Sequence, residues 1–258
     1  MLDNRLSHLF SKNKKILSIF VTAGFPHLED TVAICEELEK SNVDLIELGI
    51  PFSDSIADGA TIQKANEAAL KNGASLNWTL ETLREIRAKK VKIPIILMGS
   101  LNPILQFGEE KFCEAAKEAG ADGVILPDLP LEFYLQNYSS MFEKHNLANV
   151  FLITQNTPEK RIRQIDEASS SFVYAVSMAG VTGKNLEMND ERHGYLEKLK
   201  NMNLKSPLVV GFGIENRKQF EEMTKYAAGA IVGSAFLRAI ENVEDIRQAT
   251  RDFVAEFL

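Results

Sequence analysis

Eight short apolar runs recur along the 258-residue chain, and each is followed by a stretch with the spacing of an amphipathic helix. Runs this short and nearly continuous suit parallel strands covered on both faces. They predict strands over 16–20, 45–49, 93–98, 123–126, 150–153, 172–177, 208–210 and 230–232. Helical spacing predicts a first helix over 2–10, ahead of any strand, then helices over 28–40, 109–119, 131–145, 159–168, 191–200 and 218–226. A long helical region over 60–90 breaks at Asn72 and Gly73 and restarts near Trp78, Asn102 and Pro103 read as a loop, and Gly233 and Ser234 open a helix after the eighth strand. A helix after each of eight strands predicts an α/β fold, a closed (β/α)8 TIM barrel with an additional N-terminal helix; an open doubly wound sheet uses the same alternation. About 250 residues is usual for one such barrel, and no low-complexity linker divides the chain, so 1–258 reads as a single domain.

The second run is unusual. Leu45, Ile46, Leu48 and Ile50 surround a carboxylate, Glu47, which a buried strand would have to desolvate at a cost of several kcal/mol unless it is paired or protonated. Gly49 and Pro51 break the strand, and a second acid, Asp58, precedes Gly59 and the run Ile62, Ala65, Ala69. An Asp at such a boundary ordinarily caps the helix. Folded back over the strand end, it would instead form with Glu47 the pair that proton-moving sites use, one acid poised by burial and one kept ionised.

Other chemistries find little support. The net charge of −7 argues against a nucleic-acid or anionic-membrane surface, and Lys12, Lys14 and Lys15 make only a short solvated cluster. No run is long enough to span a bilayer and no apolar leader opens the chain, so a cytoplasmic protein is expected. Cys35 and Cys113 lie apart in helical patterns, and His8, His27, His145 and His193 are scattered, which points to no disulfide, no metal site and no Ser/His/Asp arrangement. The glycines at strand ends say more. Gly211 and Gly213 close the seventh strand and Gly233 the eighth, where barrels bind phosphate on bared backbone N–H groups; a single tight turn would need such glycines too.

The run ELGIPFSDSIADGATIQ closely resembles the signature of the tryptophan synthase alpha-subunit family. TAGFP at 22–26, LNPI at 101–104, LPDLP at 126–130, AGVTG at 179–183, VGFGI at 210–214 and VGSA at 232–235 extend the resemblance over almost the whole chain. It implies a lyase that splits indole-3-glycerol phosphate into indole and glyceraldehyde 3-phosphate by retro-aldol cleavage, without a metal or cofactor. Carried over residue by residue, it implies Glu47 as acid and base, Asp58 as the ionised partner of the indole N–H, and Tyr174 beside them. Gly183, Gly213, Gly233 and Ser234 would hold the phosphate, Phe20 and Phe212 would flank the indole unless they are plain core, and Thr182 with Gly183 would form a lid. A pyridoxal-phosphate beta subunit would be the partner in an alpha2beta2 heterotetramer, receiving indole through a surface that includes Pro51, Asp54, Asn102 and Pro103, residues that ordinary turns also use.

Four positions depart from the family pattern. Ser55 and Ala60 stand where prolines are common, which predicts a less rigid Asp58 loop; Ser100 replaces a common Tyr, and Met178 an Arg or small residue in the lid. Two rivals stay open at this point: a stand-alone indole-releasing lyase, and a catalytically weakened subunit that regulates the beta subunit.

Overall fold

The computed structural model describes residues 3–11, 14–55, 58–176, 190–211 and 213–258. In chain order the elements are α1 (Arg5–Leu9), β1 (Ile16–Thr22), α2 (Asp30–Lys40), β2 (Leu45–Gly49), α3 (Ala60–Asn72), α4 (Leu76–Ala88), β3 (Ile95–Met98), α5 (Leu101–Phe107), α6 (Glu109–Ala119) and β4 (Gly123–Ile125). Then come α7 (Leu131–Phe133), a π-helical turn (Tyr134–Tyr138), α8 (Ser139–Lys144), β5 (Ala148–Ile153), α9 (Glu159–Ala168), β6 (Val173–Val176), α10 (Asp190–Asn201), β7 (Leu208–Gly211), α11 (Arg217–Met223), β8 (Gly229–Val232), α12 (Ser234–Ile240) and α13 (Ile246–Ala255).

All eight strands pair in parallel and in sequence order, and β8 returns to β1 to close the barrel, with Ile16 opposite Gly229 and Ile19 opposite Val232. The open sheet is therefore excluded. The strands are buried on both faces, as their unbroken apolar character requires.

The extra N-terminal helix is present and has a structural task. Asn4 caps α1 and also donates through Nδ2 to the carbonyls of Asp122 and Asn146, while Arg5 reaches the Asp122 carboxylate at 2.9 Å. Asp122 directly precedes β4, so α1 seals the N-terminal end of the barrel and leaves the opposite mouth for chemistry.

Two expectations need correction, and one helix was not foreseen. Asn102 and Pro103 are not in a loop but in the first turn of α5; proline is tolerated there because its missing N–H would have no helical partner anyway. The predicted helix over 131–145 is interrupted by the π turn at Tyr134–Tyr138. A final helix, α13, follows the one opened by Ser234; its Arg247 and Arg251 bind Glu36 and Glu37 of α2, so the last helix packs beside the first helix of the ring.

Candidate active site

Parallel pairing brings the C-terminal ends of β1 to β4 to one rim, where a pocket of about 250 Å3 opens. Phe20, Ile50, Phe52 and Met98 give it apolar walls, Ser55, Asp58 and Asn66 line one side, and Gly99, Ser100, Pro127 and Asp128 complete the edge. Ser100 is thus on the pocket wall, where a smaller side chain than Tyr leaves more room.

Glu47 lies in register with Phe20 of β1 and Ile96 of β3 and is 0% exposed. Its Oε1 accepts a hydrogen bond from the Ser18 hydroxyl at 3.4 Å, and its Oε2 has no partner among the described residues. Burial pushes the carboxyl up to about 8, with the Ser18 hydrogen bond acting in the other direction, so the group is a protonated acid at neutral pH.

Asp58 does not cap α3. Gly59 takes that position, and the Asp58 carbonyl accepts instead from Gln63 Nε2 at 3.0 Å. The half-buried Asp58 carboxylate receives hydrogen bonds from the Ser55 hydroxyl and from Asn66 Nδ2, the latter at 3.3 Å. Asn66 also donates to Ser55 Oγ at 3.1 Å. Burial raises the Asp58 carboxyl above its ordinary range, and these two donors oppose the rise. Ser55 thus ties the loop to α3 through hydrogen bonds where a proline would have restricted the backbone.

Tyr174 enters from β6. It is buried, and its hydroxyl is held well above the ordinary phenol range, first by burial and then by the negative charge of Glu47 and Asp58, so it stays neutral and shares the electrostatic environment of both acids. Two glycines make room for the rings of this layer. A Cβ on Gly49 would lie 2.6 Å from the Phe20 ring, and one on Gly211 would lie 2.2 Å from Tyr174.

The structure therefore brings Glu47, Asp58, Tyr174 and Phe20 to one mouth. Gly233 is the N-cap of α12, Ser234 its first residue, and Gly213 has φ +75° just beyond β7. Gly233 stands against Phe20, 3.3 Å from its Cβ to an added methyl, so the turn after β8 adjoins the aromatic wall. Phe212, Thr182, Gly183 and Met178 lie outside the described residues. Among the four residues of the expected partner surface, Asp54 and Asn102 are exposed, Pro103 is half-buried and Pro51 is buried. No group of three or more His, Cys, Asp or Glu among the described residues could hold a metal ion.

Sequence reasoning missed two polar side chains here, Ser18 and Asn66. Ser18 had a readable sign, since it stands two residues before Phe20 in a strand and so shares its face. Asn66 is a buried polar residue in an otherwise amphipathic helix, a weak signal without the loop geometry.

Fold and site together define a (β/α)8-barrel enzyme with an acid-bearing, aromatic-walled pocket at the C-terminal mouth of its strands. A family profile described as tryptophan synthase alpha chain matches residues 6–257. The chain belongs to that family. The tryptophan synthase alpha chain of Flavobacterium psychrophilum is 50% identical over 235 residues, 91% of this chain and 92% of the relative. The crystal structure of the alpha chain from Legionella pneumophila superposes with a TM-score of 0.89 at 35% identity, covering 99% of this chain and 96% of that one. A chain of the tryptophan synthase complex from Pyrococcus furiosus gives 0.85 at 33% identity, covering 95% and 98%. The reaction is accordingly the lyase step of tryptophan biosynthesis, retro-aldol cleavage of indole-3-glycerol phosphate to indole and glyceraldehyde 3-phosphate.

Proposed function

We propose that Glu47 is the acid and base of this cleavage and that Asp58 and Tyr174 complete the site around it. The observation that carries the reading is a fully buried carboxyl, protonated up to about pH 8, beside an apolar pocket with a second acid on its wall. The bond between indole C3 and C1′ breaks only when C3 has become an sp3 centre and the ring an electron acceptor. Glu47 gives its proton to C3, and the positive charge this creates spreads to the ring nitrogen, where the Asp58 carboxylate accepts a hydrogen bond from N–H. The Glu47 carboxylate then takes the C1′ hydroxyl proton; the C1′ carbonyl forms, the C3–C1′ electron pair returns to the ring, and Glu47 ends protonated as it began. Tyr174, kept neutral, stays within electrostatic reach of both acids.

Phe20 and Phe212 would hold the indole ring, and Gly183, Gly213, Gly233 and Ser234 the phosphate, with Thr182 and Gly183 as the lid. Support comes from the contact of Gly233 with Phe20, which sets the proposed phosphate and indole positions side by side. None of these proton transfers calls for a cofactor. The reading extends to a cytoplasmic single-domain chain, 1–258, that works with a beta subunit as an alpha2beta2 heterotetramer, the pyridoxal phosphate belonging to that partner. Supporting the docking surface, Asp54 and Asn102 face solvent, and Leu105 is 48% exposed on the same helix as Asn102 and Pro103; Pro51 would act from beneath.

The test is kinetic. Glu47→Gln should lower kcat for indole release by about 10²- to 10⁴-fold, the usual worth of a general acid–base, with KM nearly unchanged. Turnover within a few-fold of wild type would refute the assignment.

A further inference from the structure

Glu47 is protonated in the resting site, yet nothing in its own chemistry says which of its two oxygens carries the proton. The answer lies on β1. Ser18 and Phe20 point into the barrel from the same face of that strand, and Ser18 is 0% exposed. A hydroxyl in such an interior costs free energy unless it is hydrogen-bonded, and the Ser18 hydroxyl is directed at Glu47 Oε1. With the Ser18 hydroxyl donating to it, Oε1 is the carbonyl-like oxygen of the protonated carboxyl, and the acidic hydrogen resides on the other. That other oxygen, Oε2, is buried and unpartnered among the described residues. An orphaned polar atom in a packed interior is expected where a ligand is to complete the hydrogen bonding.

We infer that Ser18 is a positioning residue that pins Glu47 Oε1 and so leaves Oε2 as the oxygen that gives a proton to indole C3 and takes one from the C1′ hydroxyl. The inference rests on the reading of Glu47 as acid and base. Protons balance throughout: Oε2 loses one to C3 and regains one from the hydroxyl, while Ser18 keeps its own. Ser18 also serves the second half of the cycle. Once Oε2 has given up its proton, the same hydrogen bond steadies the carboxylate against the apolar surroundings that would otherwise disfavour it. Among the described residues, the titratable group coupled to Glu47 is Tyr174 from β6, which Asp58 of the loop after β2 also reaches; the flanking strands β1 and β3 contribute none.

The test compares Ser18→Ala, Ser18→Cys and Ser18→Thr with wild type in indole release across pH 6–10, with thermal unfolding as the control for folding. A lost or weakened donor should raise the pH at which kcat/KM falls by about one unit in the Ala and Cys variants. It should also lower kcat about tenfold at neutral pH, with KM unchanged. Ser18→Thr, which keeps a hydroxyl, should restore both. A merely structural serine would change the unfolding temperature and leave the pH profile in place, and that result, in folded Ala and Cys variants, overturns the inference. Glu47→Gln measured alongside separates the two failures: if it retains turnover, the acid–base reading itself is wrong, and if it is inactive while the Ser18 variants keep the wild-type profile, only the inference falls.

Discussion

A carboxyl that keeps its proton to about pH 8 when folded, against an ordinary value of 4.5, makes the native state bind more protons than the unfolded chain between those pH values. Stability then falls as pH rises through that window, by a few kcal/mol at its upper end. Glu47→Gln removes the liability, so its melting temperature should exceed that of wild type by several degrees at pH 8.5 and match it near pH 4, as calorimetry at the two values would register. Gly211→Ala makes the opposite kind of prediction. Its methyl would lie 2.2 Å from Tyr174, so the ring must move, at a cost of about 1–3 kcal/mol and with loss of turnover; an unaltered melting temperature and rate would mean the two residues do not compete for space. Glu47 was legible in the sequence because an acid amid Leu and Ile in a strand has few innocent explanations. Ser18 was legible only by position, two residues before Phe20 on one strand face, because serine is too small and too common in strands for its type alone to signal a role.

At the scale of elements, the loop between β2 and α3 turns on a hydrogen-bonded triangle. Ser55, Asp58 and Asn66 hold one another, and the triangle ties the loop to α3 where the family often has prolines. The sequence alone predicted a looser loop, because loss of a proline is visible in the letters and gain of a side-chain hydrogen bond is visible only once α3 stands beside it. Asn66→Ala should free the Asp58 carboxylate and lower kcat about tenfold, with a smaller change in KM, in the indole-release assay. The pairing of α2 with α13 offers a separate test. Lys40, Arg251 and Arg247 hydrogen-bond Glu37 and hold its carboxyl down to about 2. Glu37 therefore contributes stability that is fully present above pH 4.5 and lost as pH falls toward 2. The melting temperature of Glu37→Gln should lie below wild type at pH 7, and the gap should narrow through that acid range; a gap of constant size would deny the ion pairs their role. Helix α13 itself escaped the sequence reading, since the eight-fold strand–helix count was complete without it.

The barrel as a whole was the most legible feature, because the same strand–helix signal repeats eight times and errors of a residue or two at each boundary do not change the topology. Closure was the step beyond the letters: whether β8 meets β1 depends on stagger and tilt, which the apolar pattern does not encode. Closure also gives the chemistry its setting. It seals one end with α1, gathers the strand termini at the other, and leaves Glu47 inside a wall of apolar side chains that no water need enter. As the proposed acid, this enclosed carboxyl starts the reaction protonated. The measurement to make is the pH dependence of kcat/KM for indole release, which reports the ionisation of the free enzyme. The rate should fall tenfold per pH unit above about pH 8; a rate that stays level to pH 9.5, or that already falls through pH 5, would show that Glu47 does not begin the cycle as the acid.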